Sequence, residues 1–389
     1  MSPNKPSDTT PQLDIAVIGG GIIGLIVSLG LIKRGINVKI YEQSSTFRET
    51  GAGLGFLPKD FECMATINPN IDDWLYVADG YHQGKDDRKK ENLLGRIHSG
   101  LRGCRRVQFL TELGKYIPDG TIQFRQRLEM VVEKGGEKLE LRFADGSVAS
   151  ADAVALKVSV VGCDGIKSRV RRIIVGEDHP ACLPRYTHMI CFRGLVPMQK
   201  ARPFVGDLIA SHPTMHLGPD AHMVTYPVAG QTFLEYRRLR GAFPASAKHA
   251  RDLAALMPEA LTKWALFDTF DHQIPFYNLG RVCIAGDAAH AAAPHHGAGA
   301  GLGVEDSLCL SALEKAFETF TAVRRERCQW MVESIHTVCD LYEWKRPDIK
   351  EDPAKAMPEL VARYQIVVGF DTDAMLKATA MGYAERVRA

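Results

Sequence analysis

Apolar positions fall into distinct spacings along this chain, and each spacing predicts a different element. Ile15–Ile18 is a short unbroken apolar run ending on three glycines, the pattern of a buried strand. A longer apolar run follows and closes near Lys33 with Gly35 behind it, which predicts a helix and its stop. Ile36–Tyr41 then alternates and ends on Glu42. Residues 14–43 therefore predict one strand–helix–strand unit: strand 14–18, turn 19–24, helix to about Lys33, strand 36–41. Ile15 to Ile32 holds no charge over 18 residues, the length of a membrane span. The glycines within it and the alternation after it favour the buried unit over a span.

Downstream the period-two signal dominates. Leu139–Val148 alternates around Asp145-Gly146 and predicts a hairpin. A strand is expected at Val158–Val161. Tyr186–Val196, Ala221–Val228 and Gln231–Arg238 are rich in strand formers. Helical spacing takes over at Glu305–Phe320 and Ala322–Tyr342. Lys85 to Glu91 is a charge run expected in a solvated loop. Met1 to Gln12, rich in Pro, Ser and Thr, is expected to be a disordered tail.

The elements predict an α/β fold in which a Rossmann-like lobe interleaves with a mixed β-sheet lobe and ends in helices. Its expected parts are a tail at 1–12, a nucleotide lobe in three pieces (13–80, 81–184 with the hairpin, and 276–320), a substrate sheet at 185–275, and C-terminal helices at 321–389.

With 389 residues, 46% of them apolar, the chain can bury a core of that size. A net charge of +2 without a basic tract excludes a nucleic-acid binder driven by its charge. Nine cysteines, odd in number and without C-x-x-C, are expected to be reduced thiols, several of them simply buried, in a cytoplasmic protein. His290, His295 and His296 match no standard zinc spacing, so no metal is expected. Oligomeric state stays open.

Gly19, Gly21 and Gly24 form G-x-G-x-x-G directly after the first strand. The first allows a tight turn, the second a close phosphate, and the third packs helix on strand, with pyrophosphate at the helix N-terminus. Glu42 lies 18 residues after Gly24 and can accept the hydroxyls of an adenosine ribose. That unit alone does not separate NAD from FAD. Further on, the strand from Val282 leads to Gly286-Asp287, whose carboxylate can accept from ribityl hydroxyls. Gly297–Gly301 then opens a helix whose free amides suit a flavin pyrimidine edge. The combination points to bound FAD. No second G-x-G-x-x-G and no dithiol relay is present, so NAD(P)H is expected as a transient visitor, with Asp164-Gly165 and Lys167–Arg172 as neighbours.

Six further runs carry a family resemblance: Phe47–Gly53, Gly103–Leu110, Phe192–Leu195, Tyr226–Ala229, Trp264–Phe270 and Pro294–Gly299. Through them the chain, from 14 to about 345, resembles the class A flavin-dependent monooxygenases, the para-hydroxybenzoate and salicylate hydroxylase superfamily. Within that superfamily it is similar to fungal polyketide-pathway enzymes that hydroxylate and often dearomatise phenols. The resemblance implies FAD contacts at Glu42, Gly55, Arg106, Asp287 and Ala300, with Gly53, Gly286 and Gly299 beside them. It also implies that Arg193 and Tyr226 hold a phenolate over the flavin. NAD(P)H would reduce FAD, O₂ would form a C4a-hydroperoxide, and its distal oxygen would pass to the ring of the phenolic substrate. Two other expectations stand beside this one: a decarboxylative, salicylate-type hydroxylase, and an inert flavin-binding paralogue serving as scaffold or sensor. The chain looks shortened between Tyr226 and Trp264 and between Leu313 and Phe320, and irregular at 155–158.

Overall fold

The computed structural model describes residues 14–47, 53–69, 102–134, 138–150, 159–228, 232–239, 255–256, 262–312 and 317–388. The expected tail at 1–12, the charge run at 85–91, the boundary at 80/81 and the join at 155–158 lie outside them. So do most of 240–261 and all of 313–316 in the two shortened stretches.

Strand Asp14–Ile18 lies at the centre of a six-stranded sheet. It pairs in parallel with Asn37–Glu42 on one side and Ser159–Gly162 on the other. Ile122–Phe124 and Val282–Ile284 extend the sheet in parallel, and Asn278–Leu279 closes one edge antiparallel. Strands buried on both faces need no alternation, which is why Ile15, Val17, Val160, Val161, Cys283 and Ile284 form one continuous core.

Helix Ile22–Lys33 is buried nearly all round, from Ile22 to Leu31. Its uncharged run thus belongs to a 12-residue core helix and the strand before it. Among the described residues no helix is long and apolar enough to cross a membrane. The helix is flanked by Gly299–Ser311, and small residues set the approach: a Cβ on Gly30 would stand 2.0 Å from Ser311 Oγ, and one on Gly303 2.5 Å from Ile23 Cδ1. Tertiary contact therefore keeps glycines inside a helix, where propensity argues against them. The two helices expected at 305–320 and 322–342 are found as Gly299–Ser311 and Phe317–Tyr342, so the first ends and the second begins earlier than expected.

The second sheet has five antiparallel strands in the order Thr214–Gly218, Ala221–Val228, Phe233–Leu239, Arg185–Pro197 and Thr262–Asp268. One face packs on helix Met198–Ser211 through Val196, Ala201, Val205, Met223 and Leu234. The other face turns to helix Phe317–Tyr342, where Met189 Sδ lies 3.6 Å from Cys339 Sγ. The expected hairpin forms between Lys138–Phe143 and Val148–Ser150, with Asp145 capping Ser147 N–H at 2.9 Å and Gly146 at φ +82°. A two-stranded ribbon, Gly53–Phe56 with Arg102–Arg105, joins the lobes. Helices Pro353–Val368 and Thr372–Arg388 complete the chain.

Candidate functional site

The glycine turn is fixed by contacts that exclude any side chain. Gly19 sits at φ +103°, in the left-handed region, and a Cβ there would lie 2.4 Å from the Cys163 carbonyl oxygen. A Cβ on Gly24 would lie 1.9 Å from Gly19 O, so the helix starts directly on the strand. Gly21, by contrast, faces open space, its nearest neighbour being Arg106 Nη2 at 3.9 Å. It begins helix Ile22–Lys33 with no side-chain cap. Free amides beside open space are what an incoming pyrophosphate requires.

Glu42 ties the second strand to this turn. Its Oε2 accepts from Gly20 N–H at 2.7 Å and its Oε1 from Ser44 N–H at 2.7 Å. Each oxygen keeps a lone pair for a ribose hydroxyl. Arg106, first residue of helix Arg106–Gly114, lies within electrostatic reach of both Glu42 and Asp287. Burial lowers its pKa, and those two carboxylates oppose the shift. Gly55 pairs with Gly103 in the ribbon, and Gly53 with Arg105, so the ribbon's bare backbone leads up to Arg106.

At the far end Gly286 turns the chain out of strand Val282–Ile284, and Asp287 follows on the cleft wall. The Asp287 carboxyl is raised by burial against the opposing pull of His290, Arg106 and Arg171. Its outer surface is nonetheless open, so this desolvation is partial, as expected on a concave wall. The turn is held from below by Asp306, a residue that sequence reasoning missed. Asp306 accepts from Gly286 N–H at 3.0 Å, lies 2.5 Å from His290 Nε2, and accepts from Arg324 Nε at 2.8 Å. Burial would raise its pKa, but His290, Arg324 and the Gly286 amide bring it down to about 2.

Helix Gly299–Ser311 opens after Ala298 with no side-chain cap, and no atom lies within 4 Å of where a Gly299 Cβ would stand. Free amides of Gly299 and Ala300 thus meet open space, as at Gly21. Gly301 is different: a Cβ there would strike the Asp60 carboxylate at 2.3 Å. Asp60 is buried, accepts from Leu57 N–H at 2.7 Å, and has its pKa pushed up by burial to about 7. Two uncapped helix starts, a cleft arginine between two carboxylates, and bare glycine backbone along the way fit a long anionic dinucleotide.

Asp164 is held within its own lobe. Its carboxylate caps helix Arg169–Val175, accepting from Ser168 Oγ at 2.5 Å, Arg169 N–H at 2.6 Å and Val170 N–H at 3.1 Å. The overlooked signal was Ser168, the N-cap residue before that helix. The basic run Lys167–Arg172 is largely committed as well. Arg171 is buried and donates to the carbonyls of Ile166, Cys182, Asp287 and Ala288. Arg169 and Arg172 pair with Glu177.

Arg193 and Tyr226 meet through register. Arg193 pairs with Arg237 and Arg237 with Val224, and Tyr226 lies two residues beyond Val224. Directly paired and alternate residues share a face, so Arg193 and Tyr226 do too. His222 shares it and touches the first lobe, and the Tyr226 ring packs on Gly103. The Arg193 guanidinium lies 5.8 Å from the Trp264 ring centre.

The histidines find partners far away in sequence. His290 is pinned to Asp306: burial opposes its charge, yet Cys328 and Asp306 hold its pKa well above the ordinary value. His296 Nε2 lies 3.0 Å from Ser334 Oγ, and burial lowers its pKa to about 4. Ligand atoms of His222, His295 and Cys339 fall within 4.8 Å of one another, but the two facing ring nitrogens are hydrogen-bonded together at 3.1 Å. We read the group as a polar network. All nine cysteines are free and buried.

Comparison with known proteins gives a consistent placement. Residues 246–318 match the description of an FAD binding domain. The FAD-dependent monooxygenase pigN of Monascus ruber is 41% identical over 435 positions, covering 97% of this chain and 98% of the relative. Salicylate hydroxylase asL1 of Sarocladium schorii is 38% identical, covering 99% of this chain and 92% of the relative. A solved salicylate hydroxylase substrate complex superposes with TM-score 0.76 at 26% identity, over 95% of this chain and 98% of that one. Since 97% of 389 residues is about 377, the 435 aligned positions leave about 58 in the M. ruber relative with no counterpart here. Likeness over nearly the whole length, on a two-sheet frame carrying an FAD-shaped cradle, makes this chain a member of the FAD-dependent monooxygenase family.

Proposed function

We propose that this protein hydroxylates a phenol held between its two sheets, with Arg193 and Tyr226 on the phenol oxygen. One observation carries the reading: antiparallel register brings these two residues, from different strands, onto one sheet face, which meets the ribbon at Gly103 and the loop before helix Gly299–Ser311 at His295. Bound FAD, reduced by NAD(P)H, would supply activated oxygen. Gly21, Glu42, Arg106, Gly286, Asp287, Gly299 and Ala300 would hold it, and Gly19, Gly24, Gly53 and Gly55 would shape its path. Asp164 we assign to the frame of this lobe.

The chain's own groups do the rest. A guanidinium beside a phenol lowers its pKa by roughly one to three units, so Arg193 enriches the phenolate and makes the ring a better nucleophile. Tyr226, buried against Gly103, orients the ring so that one carbon faces the oxygen donor. The site must also keep water from the activated oxygen. When the attacked carbon bears an alkyl group and no hydrogen, the product stays dearomatised. Nine buried, unbridged thiols favour a reducing cell interior as its place of work.

Phenol-stimulated NADPH oxidation by the yellow protein, with a panel of resorcylic aldehydes, tests the reading. Hydroxylated product formed with oxidation is expected, and an inert flavoprotein, indifferent to every phenol, would refute it. Likeness to the S. schorii salicylate hydroxylase supports a second reading, decarboxylative hydroxylation, which CO₂ release from salicylate would establish.

A further inference from the structure

We propose that Asp60 acts on the bound flavin through the opening turn of helix Gly299–Ser311, its charge setting the flavin's reduction potential. The inference rests on the cradle assigned above, in which Gly299 and Ala300 hold the flavin edge, and is independent of the choice of phenol. The contact is close. A Cβ on Gly301 would stand 2.3 Å from Asp60 Oδ1 and 2.4 Å from Oδ2. A Cβ lies about 1.5 Å from its Cα, so both oxygens come within about 4 Å of the Gly301 backbone. Gly299 stands two residues earlier, which puts the carboxylate on the order of 10 Å from the free amides of the helix start.

The neighbours of Asp60 leave its charge unpaired. Its side chain is buried and accepts from Leu57 N–H at 2.7 Å, and among the described residues it has no ion pair. The cations packed here are committed to other acids. Arg327 grips both oxygens of Glu305, at 2.8 and 2.7 Å, and Arg324 holds Glu305 and Asp306. On the helix that carries Asp60, Pro58–Ile67, Lys59 pairs with Glu62 and Cys63 touches Thr372. Capping Leu57 needs an acceptor and no charge, which Asn or Ser would supply as well. The carboxyl therefore brings to this turn a titratable charge that the fold does not use. Burial holds its proton on up to about 7, with the Leu57 amide opposing, Glu305 adding and Arg327 opposing again.

Charge balance gives the effect its sign. The hydride that NAD(P)H gives up carries two electrons and one proton, and its uptake leaves one negative charge on the flavin's pyrimidine edge. The positive end of helix Gly299–Ser311 favours that charge. An ionised Asp60 set against the same turn opposes it, and a protonated Asp60 does not. A unit charge roughly 10 Å away in a partly polar interior shifts an equilibrium by about tenfold. Where Asp60 is ionised beforehand, reduction therefore favours the uptake of one proton from water by its carboxylate. Reduction is easier below about pH 7, where Asp60 is neutral, than above it.

The test measures the midpoint potential of the FAD-loaded enzyme, by equilibration with reference dyes from pH 5 to pH 9, in wild type and Asp60→Asn. At pH 5 both side chains are neutral, and the two potentials are expected to agree. At pH 9 wild type is expected to lie lower by about 30 mV, which is a tenfold shift in a two-electron equilibrium. A merely structural role would displace the variant equally at every pH, and that result would overturn the proposal. So would equal potentials throughout. Should Asp60→Asn fail to fold or to keep its flavin, Asp60→Ser carries the same expectation. Failure of both would also overturn the proposal, by making Asp60 a residue of the fold alone. A wild-type protein that takes up no FAD would instead bring down the cradle, and this inference with it.

Discussion

The nucleotide lobe and the antiparallel sheet handle polar groups in opposite ways. In the first, charge is buried and tied. Asp306 holds Gly286, His290 and Arg324, Asp164 caps a helix, and Arg171 binds four carbonyls. In the second, Arg193 stands half-buried beside a ring and aromatic side chains reach the surface, Trp264 at 37% and Phe267 at 38% exposed. The first region is built to hold one ligand in one place. The second leaves its face adjustable, which suits a family whose members share a cofactor and differ in substrate.

That contrast is open to direct attack. Asp306→Ala should have the largest effect, since it strands two buried cations: a loss on the order of 3–5 kcal/mol in chemical denaturation, and protein that purifies without its yellow colour. Full flavin content in that variant would show the cradle to be less dependent on its floor than argued. Arg193→Ala should keep its flavin and lose about a hundredfold in kcat/KM for hydroxylation, following the phenol pKa. Loss of flavin there would erase the division between the regions. Gly301→Ala, which drives a methyl into the Asp60 carboxylate, should cost about 1–3 kcal/mol in thermal unfolding without altering substrate preference.

The smallest effect is a pH dependence. Buried Asp60 keeps its proton up to about 7, whereas the free carboxyl releases it near 3.8. Between those values the folded chain binds a proton that the unfolded chain has lost, so stability falls as pH rises from about 4 to about 7 and then levels. Asp60→Asn, which can still accept from Leu57 N–H, should gain on wild type through that window by about 1 kcal/mol per pH unit. Parallel unfolding curves at pH 5 and pH 8 would remove Asp60 from the account.

What the sequence disclosed follows the range of each interaction. The Asp145-Gly146 hairpin is set by neighbours within a few residues; the glycine turn, Glu42 and the strand before Gly286 were legible as local strand and turn patterns, although Gly19 closes on Cys163 and Glu42 on Gly20. The capping role of Asp164 went unread although its signal was local: Ser168, four residues on, marks a helix start. Asp306 looked like any acid on a helix, because its partners Gly286 and Arg324 come from other elements. The pairing of His222 with His295 and Glu343 spans 73 and 121 residues, and no local pattern encodes it. Arg193 and Tyr226 could be named from resemblance, yet their common face depends on strand register, which the chain sets only when the sheet is complete.

The order of strands also bears on how the chain is made. Asp14–Ile18 finds its second partner only in Ser159–Gly162, and that strand finds its own outer neighbour in Val282–Ile284. A nascent polypeptide leaving the ribosome thus carries unpaired strand edges until most of its length has been translated, with the antiparallel sheet emerging in between. Bare edges of this kind recruit other chains. Heterologous production of this protein should therefore gain more from slower synthesis and chaperone supply than from stronger promoters.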